Sequence, residues 1–406
     1  MAGSDLRGGP LAGLKVIDLG AVFAGPLVGT LMADMGADVI KVEPPRGDDV
    51  RRLGAGKHGV SLWWKLVARN KRLLAVDLTQ PAGAEVIARL AASMDVLVEN
   101  FRPGRLADWG LGYETLAARN PRLIMVHISG YGQDGPYRDR PGFGTLAEAF
   151  AGLVHLNGDP DGPPMLPSVP IADNMAALHG VIAVLAALQE RSQSGRGQEI
   201  ELDLVESVLG LMGQAVVAYD QLGEIAQRRG NRSKISVPRN AYPTRDGRWV
   251  VLSSTTDSVA QRLFRAIGRP DLADDPSLAT NQLRARRADE IDRIVAEWVA
   301  RHTQAEALAV LQAAEAAAGP INDVAQFVND PHVKARGTLV TLPDEAGRPV
   351  RMPGPVARFG RTPATMRFAG NARIGADSTA VLRDHGFDEA EIARLTADGT
   401  IVAAAD

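Results

Sequence analysis

"LKVIDLGAVFAGPLVGTLMADMGADVIKVE", Leu14–Glu43, is the stretch that decides the fold class. It opens with a short apolar segment, Leu14–Gly20, and closes with another, Ala37–Glu43, and both are typical of buried strands. Gly25–Gly36 is predicted to form a helix, because Pro26 suits a first helical turn and a glycine suits a helix end. Strand, helix and strand in succession predict a βαβ unit with parallel strands.

Strands and helices continue to alternate along the first half of the chain. Arg72–Leu78, Asp95–Asn100 and Arg122–Ser129 are predicted strands, and Pro81–Ser93 and Tyr113–Arg119 are predicted helices. This alternation predicts an α/β, Rossmann-like large domain with a parallel sheet covered on both faces. Because ligands of such sheets bind beyond the carboxyl ends of the strands, the segments that follow the strands are the candidates for a site.

The pattern changes in the second half of the chain. A long helix is predicted over Met175–Arg191, followed by a strand within Gly195–Leu204 and a helix over Val205–Leu222. From about Gly230 the pattern becomes less regular and indicates a smaller α+β domain.

A chain of 406 residues is long for a single core, so we expect two domains. We place the large domain at residues 1–225, the small domain at residues 226–330, and a C-terminal segment at residues 331–406. The last of these contains a predicted helix at Glu389–Ala397.

Composition excludes several function classes. The net charge of −3 gives no reason to expect nucleic acid or an anionic membrane surface as a partner. The chain has no cysteine, which removes disulfides, cysteine metal sites and thiol nucleophiles, and it has no HExxH or GxSxG motif. The most apolar segment, Met175–Leu188, is short for a membrane span, and the N-terminus has no apolar signal core. We therefore expect a cytoplasmic protein without a metal site.

The first βαβ unit suggests dinucleotide binding, but its turn argues against that function. The turn reads "GAVFAGP", whereas the dinucleotide fingerprint requires glycines that let the backbone approach a pyrophosphate. Val22 and Phe23 occupy the middle of the turn, and Pro26 removes one N–H donor. Although Glu43 ends the second strand where an acid could bind a ribose, the bulky apolar turn favours contact with adenine or pantetheine.

A lone carboxylate, Asp173, stands in "PSVPIADNMAALHG", Pro167–Gly180, just before the long predicted helix. Two interpretations are open. Asp is among the residues preferred at the N-cap of a helix, so Asp173 could simply cap this one. A carboxylate at a helix N-terminus is also a candidate nucleophile, since the helix dipole favours its ionised form.

The segments considered so far resemble, in order and spacing, those of the class III CoA-transferase family, which includes formyl-CoA transferase, carnitine CoA-transferase and α-methylacyl-CoA racemase. Besides the Leu14–Glu43 stretch and the Asp173 segment, the similarity extends over "RNKRLLAVDL", "DVLVENFRPGRLADWGLGYE", "NPRLIMVHISGYGQDGP", "GRGQEIELDLVES", "DPHVKARG" and "LRDHGFDEAEIARL". The resemblance implies two ring-like subunits threaded through one another in an interlocked homodimer. It also implies that the C-terminal segment returns to the large domain.

The resemblance assigns Asp173 the role of covalent nucleophile. CoA would move from an acyl-CoA donor to a free carboxylic acid through a mixed anhydride and an aspartyl-CoA thioester, without a permanently bound cofactor or a metal. CoA and acyl-CoA are then substrates. Among the acids that this family accepts, we favour a short dicarboxylate system with succinyl-CoA as donor, on the breadth of the family alone.

The family also contains racemases, which move the proton next to the thioester with a histidine. Phe143 stands where we align that histidine, and it cannot carry a proton. His127, His155 and His179 lie in apolar or strand contexts and are expected to be structural. A transferase is therefore favoured over a 2-methylacyl-CoA racemase or epimerase. A non-catalytic acyl-CoA-binding protein would not need Asp173.

The resemblance also implies a set of CoA contacts. The residues expected to line the CoA cleft are Val22, Phe23, Ala24, Asn100, Phe101, Arg102 and Tyr131, and the candidate phosphate partners are Lys71, Arg72 and Arg105. Pro44, Pro45 and Asp108 stand where formyl-CoA transferase has arginines, which argues against formate or oxalate as substrates. Its glycine-rich lid has no counterpart in "NRSKISVPRNAYP", where Arg232, Lys234 and Arg239 are candidates to meet an acceptor carboxylate.

Overall fold

The structure is a computed structural model that describes residues 8–403. The chain divides into two compact units. The first contains the chain up to Leu153, Leu166–Glu224 and the chain from Lys334 onward, and the second contains Val154–Met165 and Ile225–Val333. The sequence did not suggest that Val154–Met165 would group with the second unit.

The strands are β1 (Lys15–Asp18), β2 (Asp38–Glu43), β3 (Gly56–Lys57), β4 (Val60–Ser61), β5 (Arg72–Val76), β6 (Val96–Glu99), β7 (Ile124–Ser129), β8 (Glu199–Asp203), β9 (Arg239–Pro243), β10 (Trp249–Ser253), β11 (Ala318–Pro320), β12 (Leu339–Pro343), β13 (Pro349–Pro353) and β14 (Ile401–Val402). The helices of the first half are α1 (Ala24–Asp34), α2 (Leu62–Val67), α3 (Pro81–Ala91), α4 (Arg105–Asp108), α5 (Tyr113–Arg119), α6 (Gly144–Phe150), α7 (Leu153–Leu156), α8 (Ile171–Ser194) and α9 (Leu204–Leu222). The later helices are α10 (Asp257–Ala266), α11 (Pro270–Ala273), α12 (Asn281–Ala285), α13 (Ala288–Val299), α14 (Gln304–Ala313), α15 (Val324–Asn329), α16 (Pro331–Ala335), α17 (Ser378–Asp384) and α18 (Glu389–Ala397).

A seven-stranded sheet in the order β14-β5-β2-β1-β6-β7-β8 forms the centre of the first unit. Its strands run parallel except for β14, which pairs antiparallel with β5. The prediction of a mixed α/β fold with a large parallel-strand sheet is confirmed. Through β14, the C-terminal segment adds an edge strand to the sheet that the N-terminal βαβ unit begins.

Successive residues of the sheet strands point to opposite faces, and both faces are buried. Val16 and Val39 pack with α1, α8 and α9 on one face, whereas Ile17 and Ile40 pack with α3, α5, α17 and α18 on the other. All four side chains have an exposed fraction of at most 1%. Because both faces of the sheet are buried, the sequences of its strands are continuous apolar runs.

The second unit has its own core around a three-stranded antiparallel sheet, β11-β10-β9. Tyr242 of β9 and Val250 of β10 are buried against helices α10, α13 and α14. The small domain predicted at residues 226–330 overlaps this unit, which also contains Val154–Met165.

Within residues 8–403, α8 is the one helix that is long and apolar enough to cross a membrane. Length and composition are weak grounds for a membrane span, because core helices of globular proteins meet the same criteria. One face of α8, which includes Ala176, Ala177 and Val184, is buried in the core cluster that covers the sheet.

Candidate active site

Asp173 lies in the first turn of α8, three residues after Pro170 at the N-cap position. The interpretation of Asp173 as the N-cap is therefore wrong, because the helix begins at Ile171, before the predicted start at Met175. The fixed φ of Pro170 and its missing N–H suit the start of a helix. The backbone N–H groups of Asp173 itself and of Ala24, at the start of α1, lie near enough to the carboxylate to favour its charged form.

The surroundings of Asp173 disfavour its charge. Burial, followed by the negative charge of Glu148, raises the pKa of Asp173 from 3.8 to about 6, although the two backbone N–H donors oppose this shift. Glu148 lies on α6 with an exposed fraction of 2%, and its Oε1 accepts the Ala172 N–H at 3.0 Å. In the part of the chain that the structure describes, no Lys, Arg or His forms an ion pair with either carboxylate.

Gly144, the first residue of α6, leaves the space that the Asp173 carboxylate occupies. A Cβ atom at position 144 would lie 2.4 Å from Asp173 Oδ2, far inside van der Waals contact. Phe143, at the N-cap position of α6, precedes this glycine directly and is exposed. The position that we aligned with the racemase histidine is thus next to the carboxylate and carries a phenyl ring.

The turn between β1 and α1 lies beside Asp173 and is held in an uncommon conformation. Val22 has a φ of 63°, in the left-handed region that β-branched residues rarely adopt. Ala21 N–H donates to Asn100 Oδ1 at 2.6 Å, and Asn100 Nδ2 donates to the Ala21 carbonyl at 2.9 Å. Val22 N–H donates to Asp48 Oδ1 at 3.3 Å. These contacts fix the backbone that leads to Ala24.

Two buried lysines hold the carbonyl groups at the ends of the same turn. Lys41 Nζ donates to the Gly20 carbonyl and pairs with Asp48 at 3.3 Å. Lys71 Nζ donates to the Pro26 carbonyl at 2.6 Å and pairs with Asp18 at 2.8 Å.

Lys71 was a candidate phosphate partner, and the structure does not put it where an anion could reach it. Its side chain is completely buried. Burial lowers the pKa of Lys71 to about 8, although Asp18 opposes this shift. The lysine therefore supports the turn from within the core.

Arg72, the second of these candidates, lies at the amino end of β5, away from the carboxyl ends of the strands. Its guanidinium pairs with Asp38 and with Asp384, each at 2.7 Å. The structure therefore does not bring Arg72 to the cleft, and its ion pairs join the start of β5 to β2 and to α17.

A cavity of about 500 Å³ opens beyond the carboxyl ends of β1, β2 and β5. Its volume is typical of small-molecule sites. Phe101, predicted to contact CoA, lines it together with the turn residues Gly20 and Ala21. The lining residues that sequence reasoning missed include Arg46, Thr79 and Trp109, as well as Pro44 and Pro45, which it noted only as departures from formyl-CoA transferase. Most of these follow a strand end, so the strand-end rule could have selected them.

Arg102 and Arg105 follow Phe101 on the exposed side of the same segment. Phe101 packs edge-on against Trp109 with ring centroids 5.2 Å apart, and the Arg105 guanidinium lies 4.9 Å from the Trp109 ring centroid. Arg105 is also 4.0 Å from Asp108. The structure thus places two aromatic rings on the cavity wall, with the Arg105 guanidinium beside one of them.

Tyr131 belongs to a cluster of three aromatic rings with Tyr137 and Phe150. The ring centroids of Tyr131 and Phe150 are 5.7 Å apart. Because Phe150 and Glu148 both lie on α6, this cluster connects the segment after β7 with the helix that faces Asp173.

Phe23 packs edge-on against Trp63, with ring centroids 4.8 Å apart. It directly precedes Ala24, so an apolar surface lies beside the backbone that contacts Asp173.

His127 is buried between two carboxylates within the sheet. Its Nδ1 lies 2.5 Å from Glu99 Oε1, and its Nε2 lies 2.8 Å from Glu199 Oε1. Burial opposes protonation, but the two carboxylates outweigh it and raise the pKa of the imidazole. These contacts fit the expected structural role.

The candidate acceptor-binding residues lie in the second unit. Arg232, a candidate to meet an acceptor carboxylate, forms ion pairs of 2.5 Å with Asp289 and 2.6 Å with Asp292. The Lys234 carbonyl accepts a hydrogen bond from Asn281 Nδ2 at 3.0 Å, and Arg239 opens β9 on the surface. Arg232 is thus committed to intramolecular ion pairs.

Within the described residues, no group of three or more His, Cys, Asp or Glu side chains is arranged to hold a metal ion.

Comparison with known proteins relates this chain to one family. The family model for CoA-transferase family III matches residues 11–378. Succinyl-CoA–D-citramalate CoA-transferase from Chloroflexus aurantiacus is 39% identical over 395 residues, which cover 97% of this chain and 98% of the relative. The beta subunit of succinyl-CoA–L-malate CoA-transferase from the same organism is 42% identical over 380 residues, covering 92% and 94%. Human succinyl-CoA:glutarate CoA-transferase is 32% identical over 354 residues, covering 87% and 81%.

Solved structures have the same architecture. A CAIB/BAIF family protein from Brucella suis superposes with a TM-score of 0.82 at 33% identity, covering 93% of this chain and all of the other. The orthorhombic form of Rv3272 from Mycobacterium tuberculosis gives a TM-score of 0.80 at 28% identity, covering 92% and 99%.

Proposed function

This chain belongs to CoA-transferase family III and is a CoA-transferase, and we propose that it moves CoA between carboxylic acids by covalent catalysis on Asp173. The observation that carries the proposal is the position of this carboxylate. It is partly buried in the first turn of α8, lies near the backbone N–H of Ala24, and occupies the space that the missing side chain of Gly144 leaves. A carboxylate with a pKa of about 6 is ionised at neutral pH and is a better nucleophile than an ordinary aspartate.

The proposed reaction has two exchanges on Asp173. A carboxylate oxygen attacks the thioester carbon of the donor, the C–S bond breaks, and CoA leaves as the thiolate while a mixed anhydride forms. The thiolate then attacks the Asp173 carbonyl carbon, and the donor acid leaves with the bridging oxygen. The aspartyl-CoA thioester remains, and the acceptor acid reverses both steps. The Ala24 N–H is suited to stabilise negative charge that develops on the Asp173 oxygen.

We propose that the cavity beyond β1, β2 and β5 binds the nucleotide end of CoA. Its size, its aromatic wall and its contact with the turn that reaches Ala24 support this assignment. Val22, Phe23, Ala24, Asn100, Phe101 and Tyr131 remain the proposed contacts of the cleft. For the phosphates we propose Arg102 and Arg105, together with Arg46 on the cavity wall, because Lys71 and Arg72 are paired elsewhere.

The proposed donor is succinyl-CoA, and the proposed acceptor is a short dicarboxylic acid. The names of the relatives support this choice, since they combine succinyl-CoA with citramalate, malate or glutarate. Formate and oxalate are not proposed.

A racemase is the alternative that we disfavour. Phe143 directly precedes Gly144, which packs against Asp173, so the aligned position lies beside the reacting groups and carries no proton acceptor. An acyl-CoA-binding protein without catalysis would not need a buried carboxylate with this pKa.

We further propose that two copies of the chain form the interlocked homodimer that the resemblance implies. Both α8 and α9 expose apolar side chains, including Ile182 with an exposed fraction of 63%, and Val217 and Tyr219 with 62% each. An apolar surface of this extent is typical of a protein interface. We propose that a second copy of the chain covers the exposed apolar faces of α8 and α9. Both helices belong to the unit that carries Asp173, so pairing of two copies would bury surface next to the site.

We also propose a cytoplasmic location without a membrane span, which the charge balance and the packing of α8 against the sheet support. Cell fractionation would test it, and recovery of the chain in the membrane pellet would contradict it.

Intact-protein mass spectrometry after mixing with a panel of acyl-CoAs tests the proposed reaction directly. We expect a CoA adduct that maps to the peptide containing Asp173 and that is lost in Asp173→Asn. Rapid exchange of the α-proton of a 2-methylacyl-CoA without an adduct would instead indicate a racemase.

A further inference from the structure

Asp173 and Glu148 are neighbouring carboxylates, and neither forms an ion pair with a cation among residues 8–403. Glu148 approaches from α6 and accepts the Ala172 N–H at 3.0 Å, one residue before Asp173. It is almost completely buried, with an exposed fraction of 2%. A buried carboxylate is normally paired with a cation, so this arrangement is costly for the fold.

Glu148 has an evident structural role, since Ala172 lies in the first turn of α8, where backbone N–H groups have no partner within the helix. A carboxamide at position 148 could accept the same hydrogen bond. The hydrogen bond alone therefore does not explain why the side chain is charged.

Glu148 is the only ionisable side chain among residues 8–403 whose charge acts on Asp173. The other ionisable groups on α8 and on the elements that pack against it make no such contribution: Asp34, His127, His179, Glu190, Arg191, Glu199, Glu201, Asp203, Glu206, Tyr219 and Asp220.

We propose that Glu148 is a positioning residue that acts through Asp173: its charge destabilises the free Asp173 carboxylate relative to the uncharged anhydride and thioester, and so favours transfer of CoA onto the protein. The inference rests on the proposed role of Asp173 as nucleophile. In the half-reaction, Asp173 loses its negative charge and the donor acid leaves with one. Repulsion by Glu148 is present before the exchange and absent after it, so the equilibrium moves toward the aspartyl-CoA thioester.

Glu148→Gln separates this charge effect from the hydrogen bond, because the amide oxygen can still accept the Ala172 N–H. The full-length protein is mixed with succinyl-CoA and a series of succinate concentrations, and the fraction that carries CoA is read by mass spectrometry. We expect the equilibrium constant of the half-reaction to fall about threefold to tenfold, which corresponds to one half to one pKa unit on Asp173. The acid limb of the rate of adduct formation should move to lower pH.

Glu148→Ala removes both the charge and the hydrogen bond and serves as the second variant. It should show the same change in the equilibrium constant, together with a lower free energy of unfolding. An equilibrium constant and a pH profile that are unchanged in Glu148→Gln would overturn the inference and leave Glu148 as a hydrogen-bond acceptor only. If the wild type forms no adduct on Asp173, the proposed function fails and the inference fails with it.

Discussion

Asn100 and Ala21 exchange two hydrogen bonds, 2.6 Å from the Ala21 N–H to Asn100 Oδ1 and 2.9 Å from Asn100 Nδ2 to the Ala21 carbonyl. The side chain at the end of β6 therefore holds the turn that follows β1. The next residue, Val22, keeps its φ of 63°, and the Ala24 N–H stays where it favours the charge of Asp173. The proposed nucleophile thus depends on a contact between residues far apart in the sequence.

Asn100→Asp should impair transfer because a carboxylate cannot donate to the Ala21 carbonyl. We expect kcat/KM to fall about tenfold to a hundredfold, as for the loss of a buried hydrogen bond to a group left unsatisfied. Asn120→Asp is the matched control, since Asn120 Nδ2 donates to the carbonyls of Ala91 and Met94 away from Asp173. It should lower the melting temperature and leave kcat/KM of the folded enzyme unchanged. Equal losses of kcat/KM in both variants would contradict the role of Asn100 in holding the turn beside Asp173.

Gly144→Ala should abolish transfer while helix α6 persists. The new methyl group would lie 2.4 Å from Asp173 Oδ2, so the carboxylate has to leave its position. Alanine is otherwise a better helix former than glycine, so helix α6 itself should tolerate the change. Thr145→Ala, at the neighbouring exposed position, is the control and should retain activity. The measurement is adduct formation with succinyl-CoA, and a wild-type rate in Gly144→Ala would show that the carboxylate is not confined as described.

Asp173→Asn should stabilise the protein at neutral pH. The pKa of the carboxyl is raised from 3.8 to about 6, so its destabilising effect is complete above pH 6 and disappears as the pH falls toward 4. We expect an advantage of ~1–3 kcal/mol in the free energy of unfolding at pH 7, discounted for partial solvent contact. Urea unfolding of both proteins at several pH values measures it. A variant that is no more stable at pH 7, or an advantage that does not shrink on acidification, would contradict the cause given for the pKa.

Lys71→Met should reduce stability more than it reduces CoA affinity. The substitution leaves Asp18 buried without its ion-pair partner, a change that costs ~3–5 kcal/mol in buried pairs. Adding Asp18→Asn should recover part of the loss. Arg105→Ala should show the opposite pattern, with weaker CoA binding and little change in unfolding. Calorimetric titration with CoA and urea unfolding distinguish these outcomes, and a stable Lys71→Met protein with weak CoA binding would restore Lys71 as a phosphate partner.

Ile182→Glu should separate the proposed homodimer, because it introduces a charge into the exposed apolar face of α8. Light scattering coupled to size exclusion should report a monomer for this variant and a dimer for the wild type. Gln189→Glu adds the same charge at an exposed polar position of the helix and should leave the assembly unchanged. A wild-type protein that is monomeric in solution would contradict the proposed homodimer.

Much of the fold could be predicted from the sequence because local signals there agree with tertiary structure. Apolar runs bounded by glycine and proline gave the strands of the first unit, and Glu389–Ala397 matches α18 at both ends. The predicted start of α8 at Met175 is four residues late, because the helix begins at Ile171, directly after Pro170.

Less of the candidate site than of the fold could be predicted from the sequence. Burial of Lys71 against Asp18 depends on packing between segments distant in the sequence, and no local pattern marks it. The sequence could in principle have shown that Arg72 lies at the amino end of β5, away from the ligand-binding ends of the strands, since Arg72 is the first residue of the strand. Glu148 belongs to no motif, and only the approach of α6 to α8 reveals its relation to Asp173.

The pairing of β14 with β5 bears on how the protein is made. During synthesis on the ribosome, the strand Arg72–Val76 emerges long before Ile401–Val402, its neighbour on the outer side. Until then β5 presents unpaired N–H and carbonyl groups to other chains. The outer edge of β5 in the nascent first unit therefore stays unpaired until the second unit and the C-terminal segment have been translated. The yield of the protein in cells should depend on chaperones that shield that edge.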